Sequence, residues 1–187
     1  MKNYWDKAIS FEEYMNVAEQ RISNNPDKND DHQEYYELGL QRMNRTLKTF
    51  KLDENQLEIL NSKNFDGKIL IISEPWCGDA SATVPAVSKF FEAAGNEVKI
   101  FLRDSDTTLI DQFLTNGTQS IPKVLILNED LTLKNSWGPR PKYGLELLKK
   151  FKENPEAYPR EEFYNDLQVY YAKNRGKDAI DEILELI

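Results

Sequence analysis

The stretch that decides the fold is ILIISEPWCGDA, residues 69–80. Its first four residues form an apolar run that is typical of a buried β-strand. The residues from Ala80 to Ala94 have the spacing of a helix, so the single cysteine, Cys77, lies at a strand-to-helix junction. Backbone N–H groups and the helix dipole favour an anion at such a junction. We therefore expect a lowered pKa for the Cys77 thiol and a nucleophilic thiolate.

The composition indicates an acidic, soluble protein. Of its 187 residues, 40% are hydrophobic and 30% are charged, and the formal net charge is −8. This charge argues against nucleic-acid and anionic-membrane partners, since both require a basic face. No run approaches the roughly 18 apolar residues of a membrane helix. We expect no secretory signal, because the first residues include no apolar h-region. With one cysteine and one histidine, we expect no disulfide framework, no metal site and a reducing, cytoplasmic location.

Three parts of the chain differ in their pattern. We expect a helical N-terminal extension over residues 1–63, an α/β domain over 64–138, and C-terminal helices packing on that domain over 139–187. The middle part alternates strands and helices, which implies a sheet with helices on its faces. The expected strands are 69–73, 98–103, 124–127 and 131–137, and the expected helices are 79–94 and 107–114. Cys77 would then follow a central strand, at the edge where α/β sheets carry their sites.

The outer parts contain recognisable helix signals. Ser10 and Glu13 form a capping box ahead of an apolar stripe. Asp53 is placed to cap a helix over residues 54–61. We expect the first helix to end at residues 24–27, and His32 to lie solvated in a polar linker. Further helices are expected over residues 33–50, 141–152, 163–174 and 178–186.

Three features, in this order along the chain, resemble the thioredoxin family. The sequence WCG at residues 76–78 matches the start of the thioredoxin redox motif. Pro85 lies eight residues after the cysteine, where thioredoxins have the proline that kinks the active-site helix. Ile121-Pro122, just before a strand, matches the cis-proline segment of the family. The resemblance implies an α/β thioredoxin-like fold, a central mixed sheet with flanking helices, here with helical N- and C-terminal extensions.

The wider pattern is similar to a bacterial, single-cysteine subgroup of this family. Its motifs are EPWCGDA at residues 74–80, RD at 103–104, IPK at 121–123, WGPRP at 137–141 and, in the N-terminal extension, RMNR at 42–45. The resemblance therefore covers most of the chain.

The chain departs from thioredoxins at three positions. Ala80 stands where thioredoxins have their second cysteine, so no thiolate of the same chain can attack a mixed disulfide. Ile71 replaces a buried carboxylate that aids proton transfer in thioredoxins. Asp79 replaces the usual proline, and a carboxylate beside a thiol raises its pKa. Because the helix start acts in the opposite direction, the net shift of the Cys77 pKa stays open.

The resemblance and the single thiol favour a monothiol oxidoreductase. Cys77 would attack a protein or low-molecular-weight disulfide and form a mixed disulfide, which an external thiol would resolve. Asp79 is a candidate for acid/base chemistry, although stabilisation of the first helical turn explains it equally well. The residues expected to bind substrate are Trp76, Gly78, Ala80, Ile121 and Pro122. No cofactor is expected apart from the external thiol, which would be a co-reductant.

Two other interpretations belong to different classes. The domain would be a non-catalytic interaction module if it kept the thioredoxin peptide groove but had lost turnover. In the other interpretation, Cys77 and an external thiol would hold an iron–sulfur cluster between two subunits. Single-cysteine relatives that bind such a cluster have the motif Cys-Gly-Phe-Ser, which Asp79-Ala80 does not match. We expect Glu74 at a solvated strand end, and Arg103-Asp104 and Arg140 in ion pairs or turns. The sequence leaves open whether the protein is an enzyme, its oligomeric state, and whether the helical extensions cover Cys77.

Overall fold

A computed structural model describes residues 1–23 and 33–187 of the chain. Its strands are β1 (Lys68–Ser73), β2 (Val98–Leu102), β3 (Lys123–Leu127) and β4 (Leu133–Trp137). They form a four-stranded sheet in the order β2-β1-β3-β4. Strand β1 is parallel to β2 and antiparallel to β3, and β3 is antiparallel to β4. The expected mixed sheet is confirmed, and its central strand β1 leads directly to Cys77.

The described residues also form eight α-helices. They are α1 (Lys2–Lys7), α2 (Phe11–Ser23), α3 (Gln33–Thr49), α4 (Glu54–Ser62), α5 (Ala80–Ala93), α6 (Lys142–Glu153), α7 (Arg160–Asn174) and α8 (Lys177–Leu186). Of these, α1 is the one that the sequence pattern does not predict. The expected helix end at residues 24–27 and the solvated position of His32 lie outside the described residues. No helix within residues 1–23 and 33–187 is long and apolar enough to cross a bilayer.

Side-chain caps fix the starts of two of these helices. Before α2, the Ser10 N–H donates to the Glu13 carboxylate at 2.7 Å, and the Glu13 N–H donates to the Ser10 hydroxyl at 3.1 Å. This reciprocal pair is the predicted capping box. Before α4, the Asp53 carboxylate accepts hydrogen bonds from the N–H groups of Asn55 and Gln56. Both caps are confirmed, because each satisfies N–H groups that have no partner inside the helix.

Strand β1 owes its position to its continuous apolar sequence. The residues from Ile69 to Ser73 are all fully buried. A strand without polar alternation is stable only where both of its faces are covered. Helix α5 contacts both β1 and β2, and α1 and α2 contact β2. The sheet therefore holds Cys77 on a rigid support inside the main core.

The predicted helix over residues 107–114 is wrong. Within this range the chain forms one short 3₁₀ helix, Ile110–Gln112, and a second, Arg103–Ser105, lies just before it. The Asp106 carboxylate accepts a hydrogen bond from the N–H of Thr108 at 3.1 Å. Local bonds of this kind compete with the hydrogen bonds of a helix. Leu109 and Ile110 are buried in the main core.

The N-terminal segment covers the edge of the sheet at β2. Ile9 and Ile100 exchange two backbone hydrogen bonds, of 2.9 and 2.7 Å. An uncovered edge strand would offer its N–H and C=O groups to another chain. Residues from the predicted N-terminal extension thus contact the sheet. The division of the chain into three parts at residues 63 and 138 stays a prediction.

Helix α3 lies directly against the segment that carries Cys77. A Cβ atom on Gly39 would lie 2.4 Å from the carbonyl oxygen of Pro75. No Cβ fits at that distance, so a glycine is required for the helix to approach the backbone this closely. Helix α3 also contacts α2 and α5, which places it between the N-terminal helices and the cysteine.

We expect Gly39→Ala to destabilise the protein, although this change usually stabilises a helix by about 1 kcal/mol. Forcing a methyl group against Pro75 should cost more than that gain, as overpacking typically costs about 1–3 kcal/mol. Urea denaturation should show a net loss in the free energy of unfolding. The control is Gln41→Ala on the exposed face of α3, for which we expect no more than about 0.5 kcal/mol. A more stable Gly39→Ala protein would contradict the close approach.

Candidate functional site

Cys77 lies in a tight turn between β1 and α5. Its N–H donates to the carbonyl oxygen of Glu74 at 3.1 Å, and its own carbonyl accepts from the N–H of Ser81 at 3.0 Å. The thiol donates to the carbonyl oxygen of Ile121 at 3.4 Å. The peptide bond between Ile121 and Pro122 is cis. The strand-to-helix junction and the Ile121-Pro122 segment therefore meet at the sulfur.

Most of the residues chosen from the sequence line one open groove. Those on its wall are Trp76, Cys77, Gly78, Asp79 and Ile121. Ala80 and Pro122 are buried and are not among its lining residues. The groove has a volume of 1080 Å³. Cys77 is at its base, with only 7% of its surface exposed.

Burial decides the ionisation of the thiol. Loss of solvent raises the pKa of Cys77 to about 12, and the negative charge of Asp79 adds to the rise. Backbone hydrogen bonds from Ala80 and Asp79 and the charge of Arg140 act in the opposite direction but do not prevail. The lowering expected from the helix start alone is therefore outweighed, and the net shift, which the sequence left open, is upward because the sulfur is desolvated.

Asp79 is held in a buried ion pair. Arg140 donates to it through Nε at 2.9 Å and Nη2 at 2.6 Å, one bond to each carboxylate oxygen. The hydroxyl of Tyr171 also donates to Asp79 at 2.8 Å. Burial lowers the pKa of Arg140, but the charge of Asp79 and its hydrogen bonds outweigh that effect and raise it. Asp79 thus joins the start of α5 to the chain after β4 and to α7.

Glu74, on the other side of Cys77, is also buried rather than solvated. Its carboxylate has no exposed surface; it accepts from Arg21 at 2.6 Å and from the N–H of Asp104 at 2.8 Å. Burial raises the pKa of Glu74, and the hydrogen bonds from Asp104 and Arg21 offset part of that rise. The expected position at a solvated strand end is wrong, because Arg21 of α2 pairs with the carboxylate inside the protein.

Trp76 forms the rim of the groove. Its indole N–H donates to the Asp104 carboxylate at 3.0 Å. Arg103 stacks over the ring at 4.9 Å from its centroid and pairs with Asp104 at 2.6 Å. Arg103 also donates to the carbonyl oxygen of Gln119, beside the Ile121-Pro122 segment. The expectation that Arg103 and Asp104 form an ion pair agrees with these contacts.

Two walls of the groove come from helices outside the predicted α/β segment. Helix α3 contributes Tyr35, Leu38, Gly39 and Arg42, and α7 contributes Arg160, Glu161, Tyr164, Asn165, Leu167 and Gln168. The sequence predicted helix α3 but did not place it at the site. The RMNR motif at residues 42–45 is the one motif of the resemblance that lies on this wall, through Arg42. No signal pointed to α7, because Tyr171 and Asp79 are 92 residues apart in the chain.

Comparisons with known proteins agree with this architecture. A sequence model of a family described as Thioredoxin matches residues 25–152. The crystal structure of a protein of unknown function from Pseudomonas aeruginosa has a TM-score of 0.62 and 18% identity, covering 97% of this chain and 92% of that one. The crystal structure of an HIV epitope-scaffold has a TM-score of 0.65 and 16% identity, covering 99% and 95%. No match was found among curated proteins. At these identities, the two structures show the fold alone.

We expect Asp79→Asn to lower the pKa of Cys77, since the charge of Asp79 raises it. The pH at which the thiolate absorbance appears in the folded protein should fall. The same change leaves the buried charge of Arg140 unpaired, so stability should decrease by about 3 kcal/mol. Asp66→Asn is the control, because it removes the same charge at an exposed site before β1. An unchanged or higher pKa in Asp79→Asn would contradict this electrostatic account.

Proposed function

Because the chain belongs to the thioredoxin family, we propose that it is a monothiol oxidoreductase in which Cys77 exchanges disulfides. We also propose that it belongs to a bacterial, single-cysteine subgroup and works in a reducing cytoplasm, where its one cysteine would stay a thiol. The observation that carries the proposal is the hydrogen bond from the Cys77 thiol to the Ile121 carbonyl at 3.4 Å, at the base of an open groove. That contact puts the sulfur beside a backbone edge that can align a substrate.

The proposed reaction has two exchange steps. The Cys77 thiolate attacks one sulfur of a substrate disulfide, the substrate S–S bond breaks, and the leaving thiolate takes up a proton. A low-molecular-weight thiol then attacks the substrate sulfur of the mixed disulfide and releases Cys77. One S–S bond breaks and one forms in each step, so the electrons balance without a bound cofactor. The external thiol is required because the sequence has one cysteine.

The surrounding residues would position this reaction. Ile121 and Pro122 would align the substrate, while Trp76 would shield the sulfur from water. The N–H groups of Ala80 and Asp79 would stabilise the sulfur anion. We propose a positioning role for Asp79, because Arg140 and Tyr171 already occupy its carboxylate.

A second candidate function is a non-catalytic interaction module. It is favoured by the burial of Cys77 and by its raised pKa, because both slow attack on a disulfide. In that case the same groove would hold a segment of a protein partner without forming an S–S bond. The two candidates differ in one measurable property, the formation of a covalent adduct at Cys77 in the folded protein.

We expect a mixed disulfide when the folded protein is incubated with 2-hydroxyethyl disulfide, which is small and uncharged. Intact-mass spectrometry should find one adduct, removed by added thiol and absent from Cys77→Ser. Insulin reduction by a thioredoxin reductase couple should not occur, since no second cysteine is present. If only the denatured protein forms the adduct, the monothiol proposal is wrong and the interaction module is favoured. Ordinary dithiol turnover of insulin would contradict both candidates.

A further inference from the structure

Arg42 is a cation of the groove that lacks a counter-charge in the described parts of the chain. It lies on the α3 wall and is half-buried. In the described parts of the chain, Arg42 and Arg160 are the groove arginines without a carboxylate partner, since Arg103 pairs with Asp104 and Arg140 pairs with Asp79. Arg160 is exposed and stacks over the ring of Tyr164, whereas Arg42 is half-buried. Burial lowers the pKa of Arg42, and the nearby charge of Arg45 adds to this effect. A partly desolvated guanidinium without a counter-charge is a favourable place for an anion.

Arg42 and Gln168 converge above the residue that follows the cysteine. The Nη1 atom of Arg42 lies 3.5 Å from the position a Cβ would take on Gly78, and Nε2 of Gln168 lies 3.7 Å from it. The Oε1 atom of Gln168 is buried and has no hydrogen-bond partner among residues 1–23 and 33–187. Buried polar atoms are rarely left in this state. Two N–H donors for an anion thus lie together over Gly78, the residue after Cys77, and the amide that supplies one of them also has an unused acceptor.

We propose that the groove binds a low-molecular-weight disulfide that carries carboxylate and amide groups, with a carboxylate on Arg42 and its sulfur toward Cys77. This inference rests on the proposed exchange function and names its substrate class. The volume of 1080 Å³ is close to that of small-molecule sites, about 300–1,000 Å³. A small substrate is favoured over a folded protein because Cys77 is recessed between α3 and α7, with 7% of its surface exposed.

The charge of the groove opposes that of the whole protein. Four arginines and two acidic residues line the groove, while the chain has a net charge of −8. At long range the protein repels an anionic disulfide and attracts a cationic one. A preference for the anionic disulfide would therefore have to come from the local arginines. This contrast makes the charge of the substrate a sensitive test.

The test compares two disulfides of opposite charge, glutathione disulfide and cystamine. Each would give Cys77 a mixed disulfide and release one thiol, so the covalent chemistry is the same. We expect the folded protein to form its adduct faster with glutathione disulfide. Arg42→Gln should reduce that preference about tenfold, as expected for loss of a charge-assisted hydrogen bond. The matched control is Arg45→Gln, three residues away on α3 but exposed and outside the groove, which should keep the preference.

A measurement on the unmodified protein guards against a variant that fails to fold. At one fixed ionic strength, excess S-methylglutathione, which carries the same carboxylates but has no disulfide, should slow the reaction with glutathione disulfide, because the two molecules compete for Arg42. Equal rates for the two charged disulfides, or equal losses in Arg42→Gln and Arg45→Gln, would overturn the inference. A faster reaction with an acidic peptide disulfide than with glutathione disulfide would also overturn it.

A binding experiment separates this inference from the proposed function. S-methylglutathione cannot exchange, so calorimetry with it reports binding alone. We expect it to bind Cys77→Ser and to bind the Arg42→Gln, Cys77→Ser double variant about tenfold more weakly. If S-methylglutathione binds in this way but the folded protein forms no adduct with any disulfide, the exchange function is wrong and the anion-binding site at Arg42 is supported. Adducts with 2-hydroxyethyl disulfide but no binding of S-methylglutathione would keep the exchange function and overturn the anionic site.

Discussion

The structure around the thiol depends on two buried carboxylates, one on each side of Cys77. Glu74 pairs with Arg21 of α2, and Asp79 pairs with Arg140 after β4. A buried carboxylate is stable in its charged form only when a cation or several hydrogen-bond donors compensate it. Each carboxylate therefore binds a different end of the chain to the strand-to-helix junction. Arg21 belongs to α2, and Tyr171, which also donates to Asp79, belongs to α7, so helices from before β1 and from after β4 are fixed to the junction that carries the cysteine.

This arrangement explains why the thiol differs from that of a thioredoxin. The start of α5 offers N–H groups to the sulfur, as the family's site does, but α3 and α7 form two walls around it. The sulfur also belongs to the main hydrophobic core, and its burial outweighs the N–H groups and the charge of Arg140, so the pKa of Cys77 rises. The cysteine thus has the position of the family's motif cysteine but a raised pKa, which favours the protonated thiol. The same walls form the groove that would select a small substrate.

Local sequence signals were sufficient for most of the fold. The apolar run of β1, the Ser10–Glu13 capping box and the Asp53 cap depend on residues that are near one another in the chain, and all three are confirmed. The helix expected over residues 107–114 failed because a local Asp106 hydrogen bond and burial of apolar residues competed with it. Short-range patterns therefore predict elements well where no competing local bond exists.

The environment of the site was harder to predict, because its contacts are long-range. Arg21 is 53 residues from Glu74, and Tyr171 is 92 residues from Asp79. No spacing in the sequence identifies such partners, and without them the sequence could not show that Cys77 is covered. The sequence motif predicted the groove residues that lie near Cys77. It did not predict the direction of the Cys77 pKa shift, because that direction depends on the burial of the sulfur.

The most direct test of this account is the rate at which iodoacetamide alkylates Cys77 at neutral pH, in the folded and in the denatured protein. The denatured protein should react as a free cysteine does, with a pKa of about 8.5. If the two carboxylate pairs hold the helices over a protonated thiol, the folded protein should react far more slowly. A folded protein that reacts as fast as the denatured one, or faster, would contradict the account.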